Sequence, residues 1–212
     1  MRTKSESAMA AVVPAAALVP VQTARLEHLS GLPRGAVSEV TGARSSGRTS
    51  FLNSVLAEAT SREEYCAVVD ASDHFDPFSA ARAGVALERL VWVRCACNAE
   101  HALKAADLLL HGGGFGVVCL DLAGVPARVL NRIPLSYWFR FRRAVQDTPT
   151  VFLLLSVQPQ AKSCAACWIE FRQNKPIWSG SKPFRLLRGL RVEAVMRKPG
   201  PPRAILRELR AI

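Results

Sequence analysis

Gly42 and Gly47 bracket Ala43-Arg44-Ser45-Ser46 and are followed by Arg48 and Thr49. That is the spacing of a phosphate-binding loop, with arginine where such loops carry lysine. In a loop of this kind, successive backbone N–H groups and the positive end of the next helix converge on phosphate oxygens. Glycine at each end admits the tight turn and the close approach of backbone to ligand. The same residues would also suit an ordinary Gly/Ser loop, so the neighbouring elements matter. A short strand-like run, Val37 to Thr41, leads in. Phe51, Leu52, Val55, Leu56 and Ala59 then recur at helical spacing, which predicts a buried helix leading out.

Two other stretches could carry chemistry. Cys164-Ala-Ala-Cys167 has the CxxC spacing of a metal or redox site, but no second CxxC and no histidine at ligand spacing accompany it. All six cysteines sit mostly in apolar runs, which points to buried, reduced thiols in a cytoplasmic protein. Tyr137-Trp138-Phe139-Arg140-Phe141-Arg142-Arg143 mixes rings with arginines, a combination that can stack bases and bind phosphates. On a helix, however, Trp138, Phe141 and Val145 share one face while Arg140 and Arg143 share another. A core-packed helix with a solvated basic face fits that pattern better. Trp168 and Trp178 are read as core or interface anchors.

The 212 residues suffice for one α/β domain with short extensions. Half are apolar and the mean hydropathy is +0.13, so the chain is globular rather than disordered. The net charge is +11, and Arg172 to Ile212 holds eleven Lys/Arg against two Glu. Such a surface favours a polyanion, nucleic acid foremost, although an acidic protein or anionic lipid suits the same composition. No run approaches the roughly 18 apolar residues that span a bilayer. Met1 to Val21 has basic residues and then Ala/Val, but Pro14 and Pro20 interrupt it and no clear cleavage site ends it. Residues 1–22 are read as a poorly ordered leader or docking segment.

Thr23 to Ser30 is a short helix candidate, and Gly31 to Gly35 turns the chain into the first strand. Further strands are predicted at Tyr65–Ala71, Leu90–Arg94, Gly116–Leu122 and Thr150–Val157. Helices are predicted from Phe75-Asp76-Pro77 to Ala83, at Ala99–Leu110 and at Leu135–Gln146. Alternating strands and helices, with several strands apolar on both faces, predict a mostly parallel sheet covered on two sides. Leu190–Met196 and Ala204–Leu209 alternate around the Lys198–Pro201 turn and predict a terminal antiparallel hairpin.

In this order the motifs resemble the bacterial RecA core. The resemblance runs from Gly31-Leu32-Pro33-Arg34-Gly35 and the Glu39 strand through the Gly42–Thr49 loop. It continues through Cys66-Ala-Val-Val-Asp70-Ala71, Phe75-Asp76-Pro77, Gly84-Val85, Glu100-His-Ala-Leu103, Val117–Asp121 and Gln158. It covers about Leu26 to Val195 and is weakest after Gln158. The short length and worn motifs look most like the RecA-related ImuA proteins, accessory factors of SOS-induced, error-prone translesion synthesis. The resemblance implies one RecA-like domain over 23–212, with a core of about 36–160 and a basic hairpin region of about 178–212.

It also implies a nucleotide site, ATP with Mg²⁺, built from Gly42, Ser45, Ser46, Gly47, Arg48, Thr49, Asp76, Asp121 and Gln158. Thr49 and Asp121 would support the metal. In active relatives the loop lysine contacts the terminal phosphates, and arginine is not a conservative replacement. The glutamate that activates water falls at Ser72, which is no base near neutral pH. Asp73 could substitute only if the turn is shifted. The stacking tyrosine expected near Asp76 is Ser79. Hydrolysis is therefore expected to be absent or very weak.

The resemblance places DNA-contacting loops at Ala123–Pro134, with Arg128 and Arg132, and at Pro159–Pro176, with Arg172. Together with Lys182, Arg185, Arg188 and Arg191 these make the expected DNA or partner surface. Single-stranded DNA, ImuB, an error-prone polymerase or RecA are the implied partners, in an oligomer or hetero-complex. Two alternatives stand beside this accessory role: an active DNA-dependent ATPase or recombinase using Arg48 and Asp73, and a regulator resembling cell-division inhibitors, without DNA binding.

Overall fold

The computed structural model describes residues 28–181 and 183–210. Its centre is an eight-stranded sheet whose four central strands are buried on both faces. Those strands are β3 (Ala36–Gly42), β4 (Tyr65–Asp70), β6 (Phe115–Asp121) and β7 (Val151–Ser156), each buried along nearly its whole length. Side chains alternate across such strands. Cys66, Val68, Val117, Cys119, Leu153 and Leu155 pack on helix α1 (Arg48–Ser61), whereas Ala67, Val69, Val118, Leu120, Phe152 and Leu154 pack on the opposite face. There α3 (Ala99–Gly112) and α5 (Leu135–Val145) cover the sheet. The result is three layers, helix, sheet and helix.

With β5 (Leu90–Arg94), β8 (Ala165–Ser179), β9 (Leu186–Lys198) and β10 (Arg203–Arg210), the strand order is β10-β9-β8-β3-β7-β6-β4-β5. The six strands from β8 to β5 in that order are mutually parallel, and β9 and β10 are antiparallel additions. A small hairpin of β1 (His28–Leu29) and β2 (Leu32–Pro33) precedes β3. The short helices α2 (Pro77–Arg82) and α4 (Ala127–Leu130) follow β4 and β6.

The expected α/β architecture with an antiparallel C-terminal extension is present. Two expectations are corrected. His28–Leu29 pair as a strand where a helix over Thr23–Ser30 was expected, residues 23–27 lying outside the described residues. The expected loop Pro159–Pro176 is mostly strand β8. Cys167, Ile169 and Phe171 are buried against α1 while the backbone pairs with β3 from Val37 to Gly42, so that segment is zipped into the sheet. The terminal ribbon also starts earlier than the alternation at Leu190 suggests, since β9 begins at Leu186. Helix α5 is amphipathic: Trp138, Phe141 and Val145 are buried, and Arg140 pairs outside with Asp107.

Candidate functional site at the carboxyl edge of the sheet

Parallel strands bring their carboxyl ends to one edge, the usual ligand-binding edge of an α/β sheet. Here β3 ends on Gly42, β4 on Asp70, β6 on Asp121 and β7 on Ser156. Thr41 lies beside Ser156, and Asp70 beside Asp121, in the strand register. The Gly42–Thr49 loop rises from this edge into α1. A Cβ on Gly42 would lie 2.6 Å from Ser46 Oγ and 2.7 Å from the Phe171 carbonyl oxygen, so only glycine fits. Gly47, at φ +99°, caps α1 in the left-handed region with no side-chain cap. The first-turn N–H groups of α1 thus have no capping side chain, the arrangement suited to an anion.

Arg48 departs from a phosphate-facing position. Only 8% of it is exposed, and its Nη1 donates to the Ser156 carbonyl oxygen at 2.7 Å. Burial lowers its pKa, and the nearby Asp121 carboxylate opposes that shift. Asp121 is itself pushed above the ordinary aspartate value by burial and the charge of Asp70, while the Ala123 N–H at 2.8 Å, Arg48 and His74 act the other way. The loop backbone fits a phosphate group. Of the two side chains expected to support Mg²⁺, Thr49 is exposed and Asp121 feels the charge of Arg48.

The position where the resemblance places the water-activating glutamate is Ser72. Ser72 and His74 pack under Gly124, where a Cβ would come within 2.6 Å of both. Asp70 is fully buried, with Oδ1 accepting from Ser72 N–H at 3.0 Å and Oδ2 from Phe75 N–H at 2.8 Å. Asp73 turns to Arg94 on β5, at 3.0 Å. Asp76 is exposed and caps α2, accepting from Phe78 N–H, Ser79 N–H and the Ser79 hydroxyl. The Ser79 hydroxyl contributes most to keeping its pKa low.

Gln158 is exposed, and its backbone is fixed from below. Its carbonyl accepts from Ser156 Oγ at 2.9 Å and Gln160 Nε2 at 3.1 Å. Glu39, 1% exposed in β3, accepts from the N–H groups of Gln160 at 2.5 Å and Ala161 at 3.3 Å. Glu39 and Ser156 are the site residues that sequence reasoning left without a role. A glutamate in the middle of the strand-like run Val37 to Thr41 was the available signal.

The basic residues fall into separate stretches. Arg128 on α4 and Arg132 just after it are exposed beyond β6. Arg172 is exposed on β8, 3.6 Å from Glu170, which also binds Arg197 at 2.6 Å. Arg185 is exposed with its guanidinium 5.7 Å from the centre of the Trp178 ring. Arg188 and Arg191 lie on β9, but their side chains and the whole of Lys182 are outside the described residues. A groove of about 580 Å³ on the outer face of α5 is lined by Phe139, Arg140, Arg142 and Arg143 among others. Cys164 and Cys167 are both buried, which raises both thiols, Cys167 to about 11. That environment suits neither redox exchange nor metal binding, and no metal-binding cluster occurs among the described residues.

Comparison with known families settles the lineage, since residues 8–131 match the RecA N-terminal domain. The chain belongs to the RecA N-terminal domain family. Protein RecA of Rhodospirillum rubrum is 41% identical over 93 residues, 44% of this chain and 25% of that protein. Protein RecA of Teredinibacter turnerae is 39% identical over 93 residues, 44% of this chain and 27% of its own length. The chain thus spans about a quarter of the RecA proteins it matches. Among solved structures, a KaiC-like protein from Pyrococcus horikoshii aligns with a TM-score of 0.54 at 13% identity, over 84% of this chain and 85% of that one. RecA kinship and this likeness agree on a RecA-like P-loop fold. No described helix is long and apolar enough to cross a membrane.

Proposed function

We propose that this chain is a RecA-fold accessory protein of bacterial DNA repair, serving SOS-induced translesion synthesis as ImuA-type proteins do. It acts in the cytoplasm by holding single-stranded DNA together with a recombinase or polymerase partner such as RecA or ImuB. The phosphate loop is kept as scaffold, and ATP, where bound, is not turned over. One observation carries this reading: Arg48 is buried against the Ser156 carbonyl beside Asp121. A loop cation committed to the protein's own backbone is withdrawn from stabilising charge on a transferring phosphoryl group. Ser72 and the Asp73–Arg94 pair add to it, since neither supplies a general base over the loop. The long basic β8–β9 segment supports a polyanion as the other ligand.

Purified protein assayed for ATP binding and turnover, with and without single-stranded DNA, tests the proposal. Turnover should be absent or orders of magnitude below that of a RecA-type enzyme, with or without DNA. Robust DNA-stimulated hydrolysis that disappears in Arg48→Ala would reverse the assignment and make the chain an active ATPase.

A further inference from the structure

Strand β8 outruns the sheet. Its pairing with β3 ends at Phe171 beside Gly42, yet β8 continues to Ser179. On the other side β10 accompanies β9 only as far back as Gly189. Beyond those points β8 and β9 pair with each other, through Trp178 with Leu187 and Ser179 with Leu186. The chain therefore extends an arm past the carboxyl edge of the sheet, flanked by β10 as far as Gly189 and two-stranded only at its tip. Its root is anchored by Phe171, whose ring lies 5.5 Å from that of Phe51 and whose carbonyl packs on Gly42.

The tip of the arm is a turn drawn tight at Gly180, φ +84°, where a Cβ would meet the Phe184 carbonyl oxygen at 2.5 Å. Around it the large apolar side chains are exposed: Phe184 to 86%, Leu186 to 57% and Trp178 to 46%. Arg185 lies over the Trp178 ring. Residues 171–192 contain six Lys/Arg and no carboxylate. Glu170 and Glu193 lie at the root of the arm, while its tip offers rings and a cation, which match a ligand that presents aromatic faces and anions together.

We infer that the β8–β9 arm is a single-stranded nucleic-acid clamp in which Trp178 and Phe184 stack bases while Arg185 and its basic neighbours take the phosphates. The inference rests on the DNA-binding reading above and assigns it to this arm. Stacking on an aromatic side chain is tolerant of base identity, so little sequence preference is expected.

The test measures binding of the full chain to a thymidine oligonucleotide and to an abasic oligonucleotide of equal length, by fluorescence anisotropy across a salt series. Trp178→Ala and Phe184→Ala should each weaken thymidine-oligonucleotide binding by about tenfold, the scale of one stacked base. They should leave the salt slope and the abasic affinity unchanged. Trp178→Phe should retain most of the binding, which separates stacking from misfolding. Arg185→Glu should instead flatten the slope by about 0.7, the value of one phosphate that is no longer neutralised. If the wild type binds neither oligonucleotide, the DNA reading itself fails. If it binds both and the two alanine variants match it on the thymidine strand, the reading stands and the arm assignment falls. Displacement of the oligonucleotide by polyglutamate, with the same dependence on Trp178, would make the occupant an acidic protein and overturn the inference.

Discussion

Glu39 lies in a buried strand with almost none of its surface exposed, and its carboxylate holds the N–H groups of Gln160 and Ala161. Burial raises its pKa above the ordinary 4.5, and the backbone donors, Ser156 and Lys198 only partly offset this. An acid whose folded pKa is raised binds more protons folded than unfolded, so stability falls as pH rises from the unfolded value through the folded one. Glu39→Gln keeps an acceptor and removes the titration. The variant should gain on the wild type as pH rises through that window, measured by urea unfolding at a series of pH values. A difference that stays flat would mean the carboxyl is not strained by burial. Asp121 is shifted in the same direction, but it contributes equally to both proteins and cancels from the comparison. Arg48 and Glu39 thus hold neighbouring parts of one turn, one at the Ser156 carbonyl and the other at the Gln160 and Ala161 N–H groups.

Among the elements, β6 begins under a constraint at the opposite edge of the sheet. Arg34 and Glu64 form a buried pair at 2.6 Å, with Arg34 also donating to the Pro149 carbonyl at 2.7 Å. A Cβ on Gly116 would lie 1.8 Å from Glu64 Oε2. Gly116→Ala should therefore cost about 3–5 kcal/mol, the scale of breaking a buried pair. Gly112→Ala, where a Cβ meets nothing within 4 Å, should be near neutral by the same denaturation assay. Most elements were legible because periodicity is a local signal: β4, β6 and β7 are unbroken apolar runs, and the faces of α3 and α5 recur at helical spacing. β8 alternates too, Cys167, Ile169 and Phe171 against Trp168, Glu170 and Arg172, within the stretch that the resemblance assigns to a DNA-contacting loop. The orientation of Arg48 and the role of Glu39 were not legible. Their partners lie 108 and about 120 residues away, and no local pattern encodes such pairings.

At the scale of the molecule, β3 is the strand that joins the two halves of the sheet. Among the described residues its ladder partners are β7 and β8, so the phosphate loop depends on chain far downstream of it. A protein cut after Gln146 should lose cooperative thermal unfolding, because β3 then has neither neighbour. A retained sharp transition would show that β4–β6 and their helices suffice. The same topology sets a schedule during synthesis. β3 is made first and must wait for Val151 before it can pair, about 110 residues later. At ribosomal speeds of about 5–20 residues per second, that interval is roughly 5–20 s. Throughout it, Val37 and Val40 and the open backbone of β3 have no ladder to enter, so the emerging chain is a natural client for chaperones on the ribosome.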